Sequence, residues 1–306
     1  MKPGKNISIV VASDNHYAIL IAALLKSIDI NHKTSEHIDF YIIDDGISEK
    51  SVQKLNTIAD PGRITLKWIK SKDAVPKDIT IPIDSSGFPL TAYMRVFSPY
   101  VIDQGADRLI YLDVDTIVQD DISKLWNIPL GDYTVAAVQD PGKTFDCAWG
   151  GVPNYAQLGL PADTPYFNSG VLLIDPKKWR AQGISNEVIS ALSKYKESVR
   201  MADQYGLNVA FANKWLMLDP KWNWFAFQEN VDPFIVHFLD IKPIFTSYNG
   251  KDVYGKEFFR YLSMTPWKNF TPISGTRRKI RKIFNRIKKA LMVQMITFRS
   301  NKIPLV

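Results

Sequence analysis

An alternation of short apolar runs and helical segments constrains the fold more than any other feature of the chain. Apolar, β-rich runs cover residues 7–12, 38–44 and 63–69. A helix is predicted over 17–30, and Ser48 followed by Glu49 favours the start of a second one. Strands that alternate with helices are typical of an α/β domain built on a largely parallel sheet.

The next predicted strand ends in two acids. A loop and a helix over 85–102 precede the run "LIYL", after which Asp113 and Asp115 stand one residue apart. In extended backbone such residues share a face, and two carboxylates repel each other unless a cation lies between them. Ligands of open sheets bind beyond the carboxyl ends of the strands, and hard oxygen atoms there suit Mg²⁺ or Mn²⁺ bridged to a diphosphate. Taken alone, the spacing is equally typical of a solvated turn.

The composition limits the class of protein. With 306 residues, of which 46% are hydrophobic, the chain has ample material for a packed core. A single cysteine, Cys147, excludes a disulfide framework and a sulfur-liganded zinc cluster, and favours a cytoplasmic location. Polar residues at 13–16 interrupt the first apolar runs, so this segment is predicted to be neither a signal peptide nor a membrane span.

The positive charge is concentrated at the end of the chain. The net charge is +7, yet residues 277–306 hold ten Lys or Arg and no acid, which leaves about −3 on the preceding residues. The run "RRKIRKIFNRIKK" predicts an amphipathic basic helix that is attracted to an anionic membrane surface. A solvated helix docked on the body is an equal alternative. No nucleic-acid partner is expected, because no recognisable nucleic-acid-binding motif accompanies the charge.

Six motifs in the same order resemble glycosyltransferase family 8, the retaining GT-A enzymes. They run from residue 7 to about 245 and read "VVASDNHYA", "LTAYMRV", "RLIYLDVDTIV", "YFNSGVLLID", "MADQYGLN" and "VHFLDIKP". The resemblance implies a GT-A fold, which is a Rossmann-like nucleotide-diphospho-sugar transferase fold with a mixed, mostly parallel sheet. It also implies a UDP-sugar donor and a glycan or glycolipid acceptor.

The resemblance implies a metal and phosphate site. Asp113, Asp115 and His237 are expected to hold the ion, and an imidazole ligand favours Mn²⁺, with Mg²⁺ as the alternative. Arg95 and Lys242 are expected to neutralise the phosphate oxygens. The closing segment "HFLDIKPIF" departs from the family pattern, which puts the alignment of Lys242 in doubt by one residue.

The nucleotide side of the site is implied by the first motif and by the acidic one. In addition to Arg95, Asp113 and Lys242, the nucleotide-binding residues are expected to be Ala12, Ser13, Asp14, Tyr17 and Val114. Tyr17 is expected to stack on uracil, and its ordinary alternative is a first-turn helix residue packed on the sheet. His16 stands where the family commonly has asparagine.

The sugar side is implied by the last motifs. The residues expected to contact the sugar are Asp140, Asn168, Ser169, Asp203 and Gln204. Gln204, Asp203 and Arg95 are the expected catalytic residues. Without the resemblance, Asn168 is better interpreted as a turn residue and Asp203 as a helix N-cap. A neutral amide is a poor nucleophile, so front-side attack with Gln204 stabilising an oxocarbenium-like state is favoured.

Two regions are expected to lie around the acceptor. Trp149 and Tyr155 belong to a long Gly- and Pro-rich loop, over 140–166, of the kind that carries specificity. The aromatic cluster Trp222, Trp224, Phe225 and Phe227 is interpreted mainly as packing.

These inferences define the predicted protein. Residues 1–255 form a GT-A catalytic domain and 256–306 a basic helical tail. The function is transfer of a hexose, galactose or glucose, to a cell-surface glycan such as a lipopolysaccharide, capsule or glycoprotein precursor, at the inner membrane face. The alternatives are a haloacid-dehalogenase-like phosphatase and a non-enzymatic lipid- or glycan-binding protein.

Overall fold

A seven-stranded sheet forms the centre of the protein. The computed structural model describes residues 6–77, 79–82, 88–229 and 231–276. The strand order is β3-β2-β1-β4-β7-β6-β8, and a second sheet has the order β5-β10-β9. The strands are β1 Ile7–Ser13, β2 Ile38–Asp44, β3 Ile64–Lys70, β4 Leu109–Leu112, β5 Thr116–Val118, β6 Val135–Thr144, β7 Pro165–Ile174, β8 Leu216–Met217, β9 Trp224–Phe225 and β10 Ile235–His237.

The larger sheet is mixed, with a parallel half that the sequence predicted. Strands β1 to β4 pair in parallel, and β7 runs antiparallel to both β4 and β6. Strands β1 and β2 are buried along their whole length, which explains why they are continuous apolar runs rather than alternating ones. The reversal places the carboxyl end of β4 beside the residues that begin β7.

Helices cover both faces of this sheet. The α-helices are α1 Ala18–Asn31, α2 Glu49–Leu55, α3 Ser71–Ala74, α4 Ser98–Val101, α5 Ile122–Trp126, α6 Pro176–Ala181, α7 Ile184–Lys194, α8 Ala202–Ala210 and α9 Asp252–Ser263. The predicted start at Ser48 is confirmed, because its side chain caps α2 by accepting a hydrogen bond from the backbone N–H of Ser51. Tyr17 is the N-cap of α1.

The segment that carries Arg95 is a 3₁₀ helix over Leu90–Phe97. The expected helix is therefore present, in the tighter form, and α4 follows it directly. Five consecutive residues, 93–97, are buried, so the segment packs on all sides and is not an amphipathic surface helix. Two further 3₁₀ turns lie at Lys196–Ser198 and Pro220–Asn223.

Helix α9 spans the predicted boundary between body and tail, which lies between residues 255 and 256. Its buried side chains Tyr254, Phe258, Tyr261 and Leu262 belong to the hydrophobic core of the body. The predicted tail therefore begins inside a helix that packs on the body. The basic run that starts at residue 277 lies outside the described residues. Among those described, no helix has the length and apolar character needed to cross a membrane.

Candidate active site

Two strands from different sheets bring the acids and a histidine together. Asp113 and Asp115, the acidic pair, lie between the end of β4 and the start of β5. His237 is the last residue of β10 and pairs with Thr116, the first residue of β5. This antiparallel pairing joins positions more than a hundred residues apart in sequence. One ligand atom from each of Asp113, Asp115 and His237 lies within 4.8 Å of the others.

The chemistry of these residues suits a divalent ion. His237 Nε2 lies 3.4 Å from Asp115 Oδ1 and 3.9 Å from Asp113 Oδ2. A Cβ atom added to Gly170 would come within 2.3 Å of His237 Cε1, so only glycine lets β7 approach the ring this closely. Two carboxylates with one imidazole are a donor set that fits Mn²⁺ or Mg²⁺, as the sequence predicts.

Two cations, the buried Arg95 and the half-buried Lys242, neutralise the acidic pair. Arg95 Nη2 lies 3.0 Å from Asp113 Oδ1, and Lys242 Nζ lies 2.5 Å from Asp115 Oδ2. Arg95 also pairs through Nε with Asp203 Oδ2 at 2.7 Å. It thus connects the acidic pair to α8, an arrangement that needs the planar fork of a guanidinium.

These ion pairs shift the pKa values of Asp115, Lys242 and Arg95. Burial favours the neutral form of Asp115, but the charge of Lys242 outweighs it and holds the pKa of Asp115 well below its usual range. Burial likewise opposes the charge on Lys242, and Asp115 raises the Lys242 pKa above its ordinary value. The pKa of Arg95 is raised by Asp113 and Asp203 despite burial. The site therefore holds separated, fully formed charges.

Four of the five residues predicted to contact the sugar lie on β7 and α8, and the fifth, Asp140, lies on β6. Ser169 donates from its backbone N–H and from its hydroxyl to Gln204 Oε1, at 3.0 and 3.2 Å. Arg95 Nη1 donates to the carbonyl oxygen of Ser169 at 2.6 Å and to its Oγ at 2.8 Å. Gln204 Nε2 and Tyr166 Oη are buried, and the side chains of Tyr166 and Gln204 interact with each other.

Two ordinary structural interpretations of these residues are wrong. Asn168 lies inside β7, not in a turn, because the segment pairs with both β4 and β6. Asp203 is not the N-cap of α8, since Met201 holds that position. Ala202, directly before Asp203, has a φ of +47°, a left-handed conformation that is uncommon outside glycine and is found at functional sites.

The comparison with protein families decides the identity. The model of glycosyl transferase family 8 matches residues 8–250. The chain belongs to glycosyl transferase family 8. As such it is an enzyme, a glycosyltransferase, and the phosphatase and binding-protein alternatives lose their main support.

Three of the curated relatives of this glycosyltransferase are bacterial proteins. General stress protein A of Bacillus subtilis is 28% identical over 291 residues, which cover 87% of this chain and 96% of the relative. The lipopolysaccharide 1,2-glucosyltransferase of Escherichia coli is 28% identical over 219 residues, 71% of this chain and 62% of the relative. The chain matches 48% of the length of glycosyltransferase GlyF of Streptococcus pneumoniae, at 29% identity over 71% of its own length.

Solved structures show the fold. The galactosyltransferase LgtC, in complex with donor and acceptor sugar analogues, has a TM-score of 0.72 at 24% identity, covering 87% of this chain and 100% of LgtC. The bifunctional glycosyltransferase WbbM has a TM-score of 0.71 at 20% identity, covering 86% of this chain and 50% of WbbM. The transferase has the predicted GT-A fold.

The expected nucleotide side of the transferase lies at the carboxyl end of β1. Ala12 and Ser13 are buried there, and Asp14 Oδ1 accepts hydrogen bonds from the backbone N–H groups of His16 and Tyr17. One oxygen of Asp14 is thus committed to the turn that starts α1. The half-buried Tyr17 packs against the core and against His16, with ring centroids 4.6 Å apart.

The turn and the closing segment of the transferase meet. The rings of His16 and Phe245 have centroids 5.9 Å apart, which places the turn after β1 beside the segment that carries Lys242. Val114 is half-buried against the same core. The structure therefore brings the predicted nucleotide residues to the edge of the sheet that holds the acidic pair.

The sequence analysis did not predict three polar side chains near the site, which belong to Lys143, Tyr166 and Asn223. Lys143 is buried, with Nζ 3.0 Å from Asp140 Oδ2 and 4.5 Å from the ring centroid of Trp149. Tyr166 lies on the other side of this ammonium, 5.3 Å from it. Asn223 contacts His237. A lysine three residues after Asp140 was a usable signal for the ion pair, whereas nothing local in the sequence indicates the role of Asn223.

The predicted acceptor and packing residues separate by exposure. Trp149 is 72% exposed on the loop after β6, while Tyr155 is half-buried. In the aromatic cluster Trp222 and Phe225 are buried, which confirms packing for them, and Phe227 is 54% exposed.

Proposed function

We propose that this family 8 enzyme is a metal-dependent, retaining hexosyltransferase that moves galactose or glucose from a UDP-sugar to a cell-surface glycan. The observation that carries the proposal is that Asp113, Asp115 and His237 lie together with two cations, Arg95 and Lys242, at the carboxyl edge of the sheet. Carboxylates this close together repel each other unless positive charge lies between them. A divalent ion would serve the two acids and the histidine, and the diphosphate would serve the two cations.

In this proposal Asp113, Asp115 and His237 hold Mn²⁺ or Mg²⁺. When bound, the ion neutralises charge on the leaving diphosphate. Lys242 and Arg95 act on the same oxygens, because preorganised cations stabilise the charge that grows as the bond to the sugar breaks. The uridine occupies the turn after β1, with Tyr17 beside the base.

Hydrogen bonding on the sugar side supports front-side attack over a covalent intermediate. Gln204 Oε1 accepts two hydrogen bonds from Ser169, so its oxygen is turned away from the role of nucleophile. Asp203 is paired with Arg95. In this proposal the Nε2 of Gln204, which Ser169 does not contact, donates to an oxygen of the donor sugar. The leaving diphosphate helps to deprotonate the acceptor hydroxyl, and the new bond forms on the face from which UDP departs.

The proposal for the acceptor is supported by the relatives and by the sequence. A relative acts on lipopolysaccharide by its printed name, and the basic segment 277–306 suits an anionic membrane surface. We therefore propose a lipid-linked or lipopolysaccharide-type acceptor at the inner, cytoplasmic face of the membrane, reached by peripheral attachment through the tail. The body, which includes helix α9, then supplies the chemistry, and the basic segment 277–306 adds attachment.

Release of UDP in the absence of acceptor tests this function. UDP-galactose, UDP-glucose and their N-acetyl relatives are each incubated with Mn²⁺ or with EDTA. We expect one donor to release UDP only with the metal, and Asp115→Asn to abolish the reaction. Asp120→Asn, at a solvent-facing ion pair with Lys124, is the matched control and should keep full activity. If UDP neither is released nor binds with metal dependence, the proposal is wrong.

A further inference from the structure

A chain of buried hydrogen bonds runs from the backbone of β7 to the histidine of the metal group. The backbone N–H of Gly170 donates to Asn168 Oδ1 at 2.9 Å. The same oxygen accepts from Asn223 Nδ2 at 2.9 Å. Asn223 Oδ1 in turn lies 2.9 Å from His237 Nδ1. Asn168, Asn223 and His237 are at most 6% exposed, so water does not compete for these bonds.

The polarity of the whole chain follows from its first member. A backbone N–H can only donate, so the atom of Asn168 that faces Gly170 must be its oxygen. The atom of Asn223 that points at this oxygen must then be its amide nitrogen, which turns its own oxygen to His237. An amide oxygen only accepts, so His237 Nδ1 must carry a proton.

We propose that Asn223 is a positioning residue that fixes His237 as the neutral tautomer protonated on Nδ1, so that the lone pair of Nε2 faces the acidic pair. The inference rests on the metal site of the proposed function. A metal-ligating imidazole needs a free lone pair, and a hydrogen bond from its other nitrogen fixes which nitrogen has one. Here an amide takes the place of the carboxylate or carbonyl that often does this.

Packing keeps the ring from escaping this arrangement. The space beside His237 Cε1 and Nδ1 is so tight that a Cβ at Gly170 would lie 2.3 and 2.9 Å from them. The ring of Phe225 packs edge-on at a centroid distance of 5.9 Å. Asn223 itself ends the 3₁₀ turn Pro220–Asn223 and precedes β9, which pairs with β10. The imidazole is therefore held by β10, and the amide by the turn that leads into β9, the strand beside it.

Two substitutions of Asn223 make opposite predictions for the tautomer. Asn223→Leu removes the acceptor, so the imidazole reverts toward protonation on Nε2, the form that free histidine prefers in water. Asn223→Asp keeps an acceptor and should keep the proton on Nδ1. With Asn223→Leu we also expect Mn²⁺ to bind about 10- to 100-fold more weakly, as is usual when a metal-ligating histidine loses the hydrogen-bond partner of its other nitrogen.

Nitrogen NMR of the metal-free protein reads the tautomer directly. The chain has four histidines, and the ring signals of His237 are identified by their loss in His237→Gln. Spectra are recorded at a pH at which the ring is neutral, and Mn²⁺ affinity is measured separately from the signal of the free ion. Asn31→Leu, which removes a remote amide bonded to Ser27, Val118 and Tyr261, controls for the loss of polar bonds as such.

The outcomes separate this inference from the proposed function. His237 protonated on Nε2 in the unsubstituted protein would overturn the inference, whatever the enzyme does with UDP-sugars. A loss of Mn²⁺ affinity in Asn223→Leu with an unchanged tautomer, or no loss at all, would overturn it as well. Because the tautomer is read without metal or donor, a failure of UDP release leaves this result standing.

Discussion

Lys242 is predicted to compete with the metal for Asp115. In the metal-free site its ammonium lies 2.5 Å from Asp115 Oδ2, and the side chains are only 16% and 13% exposed. Together with Arg95 it balances the two negative charges of the acidic pair. A divalent ion that binds without nucleotide must therefore displace this ammonium or tolerate its repulsion, whereas a diphosphate offers Lys242 a new partner.

The size of the effect follows from the strength of this contact. A hydrogen bond between charged groups contributes about 1.5–3 kcal/mol, which corresponds to roughly ten- to a hundredfold in a binding constant. We expect Lys242→Met to tighten Mn²⁺ binding by this factor in the absence of nucleotide. The same change should weaken UDP binding and reduce the coupling between UDP and metal, since coupling acts equally in both directions.

Titration of Mn²⁺ with and without UDP, by calorimetry or by the spin signal of the free ion, measures these constants. Lys251→Met is the matched control, because Lys251 forms a solvent-facing ion pair with Glu229. It should leave all constants unchanged. If Lys242→Met binds Mn²⁺ alone no more tightly than the unsubstituted protein, the competition argued here does not exist.

Three further outcomes follow from the same site. Arg95→Lys cannot keep the contacts of a buried guanidinium and should cost about 3–5 kcal/mol, seen as a lower urea midpoint; an unchanged midpoint would contradict this. Gly170→Ala pushes a methyl group into the ring of His237 and should cost about 1–3 kcal/mol and weaken Mn²⁺ binding, which calorimetry checks; wild-type values for both would refute the steric argument. Because the pKa of Asp115 is lowered, its pair with Lys242 stabilises fully above the ordinary carboxyl pKa of about 3.9 and loses its effect as the pH falls below it. The unfolding free energies of the unsubstituted protein and of Lys242→Met should therefore differ most near neutral pH and converge in acid, and a gap that persists in acid would exclude this cause.

The strands of the parallel half were predictable because burial on both faces makes them continuous apolar runs. Strand β2 was predicted with both ends correct, and β1 and β3 within one residue. Helix α9 spans the predicted boundary of the body, and its buried residues Tyr254, Phe258, Tyr261 and Leu262 have the spacing of one helix face in the sequence. In the sequence, the concentrated positive charge of residues 277–306 is more conspicuous than this spacing.

The site was predictable only in part. Asp113 and Asp115 stand out because two acids follow an apolar run, which is a local signal. His237 joins them through the pairing of β5 with β10, and Arg95 reaches Asp203 across the sheet, so neither contact leaves a local trace in the sequence. Only the resemblance to a family indicated that His237 and Arg95 belong to the site. The resemblance did not indicate Asn223.

The central claim is that a divalent ion lies between Asp113, Asp115 and His237 when the nucleotide binds. Anomalous scattering from crystals grown with UDP and Mn²⁺ tests it most directly. The account predicts a single manganese peak within coordination distance of both carboxylates and of His237 Nε2, in contact with the diphosphate. UDP bound without a manganese peak there, or with the peak away from the acidic pair, would contradict it.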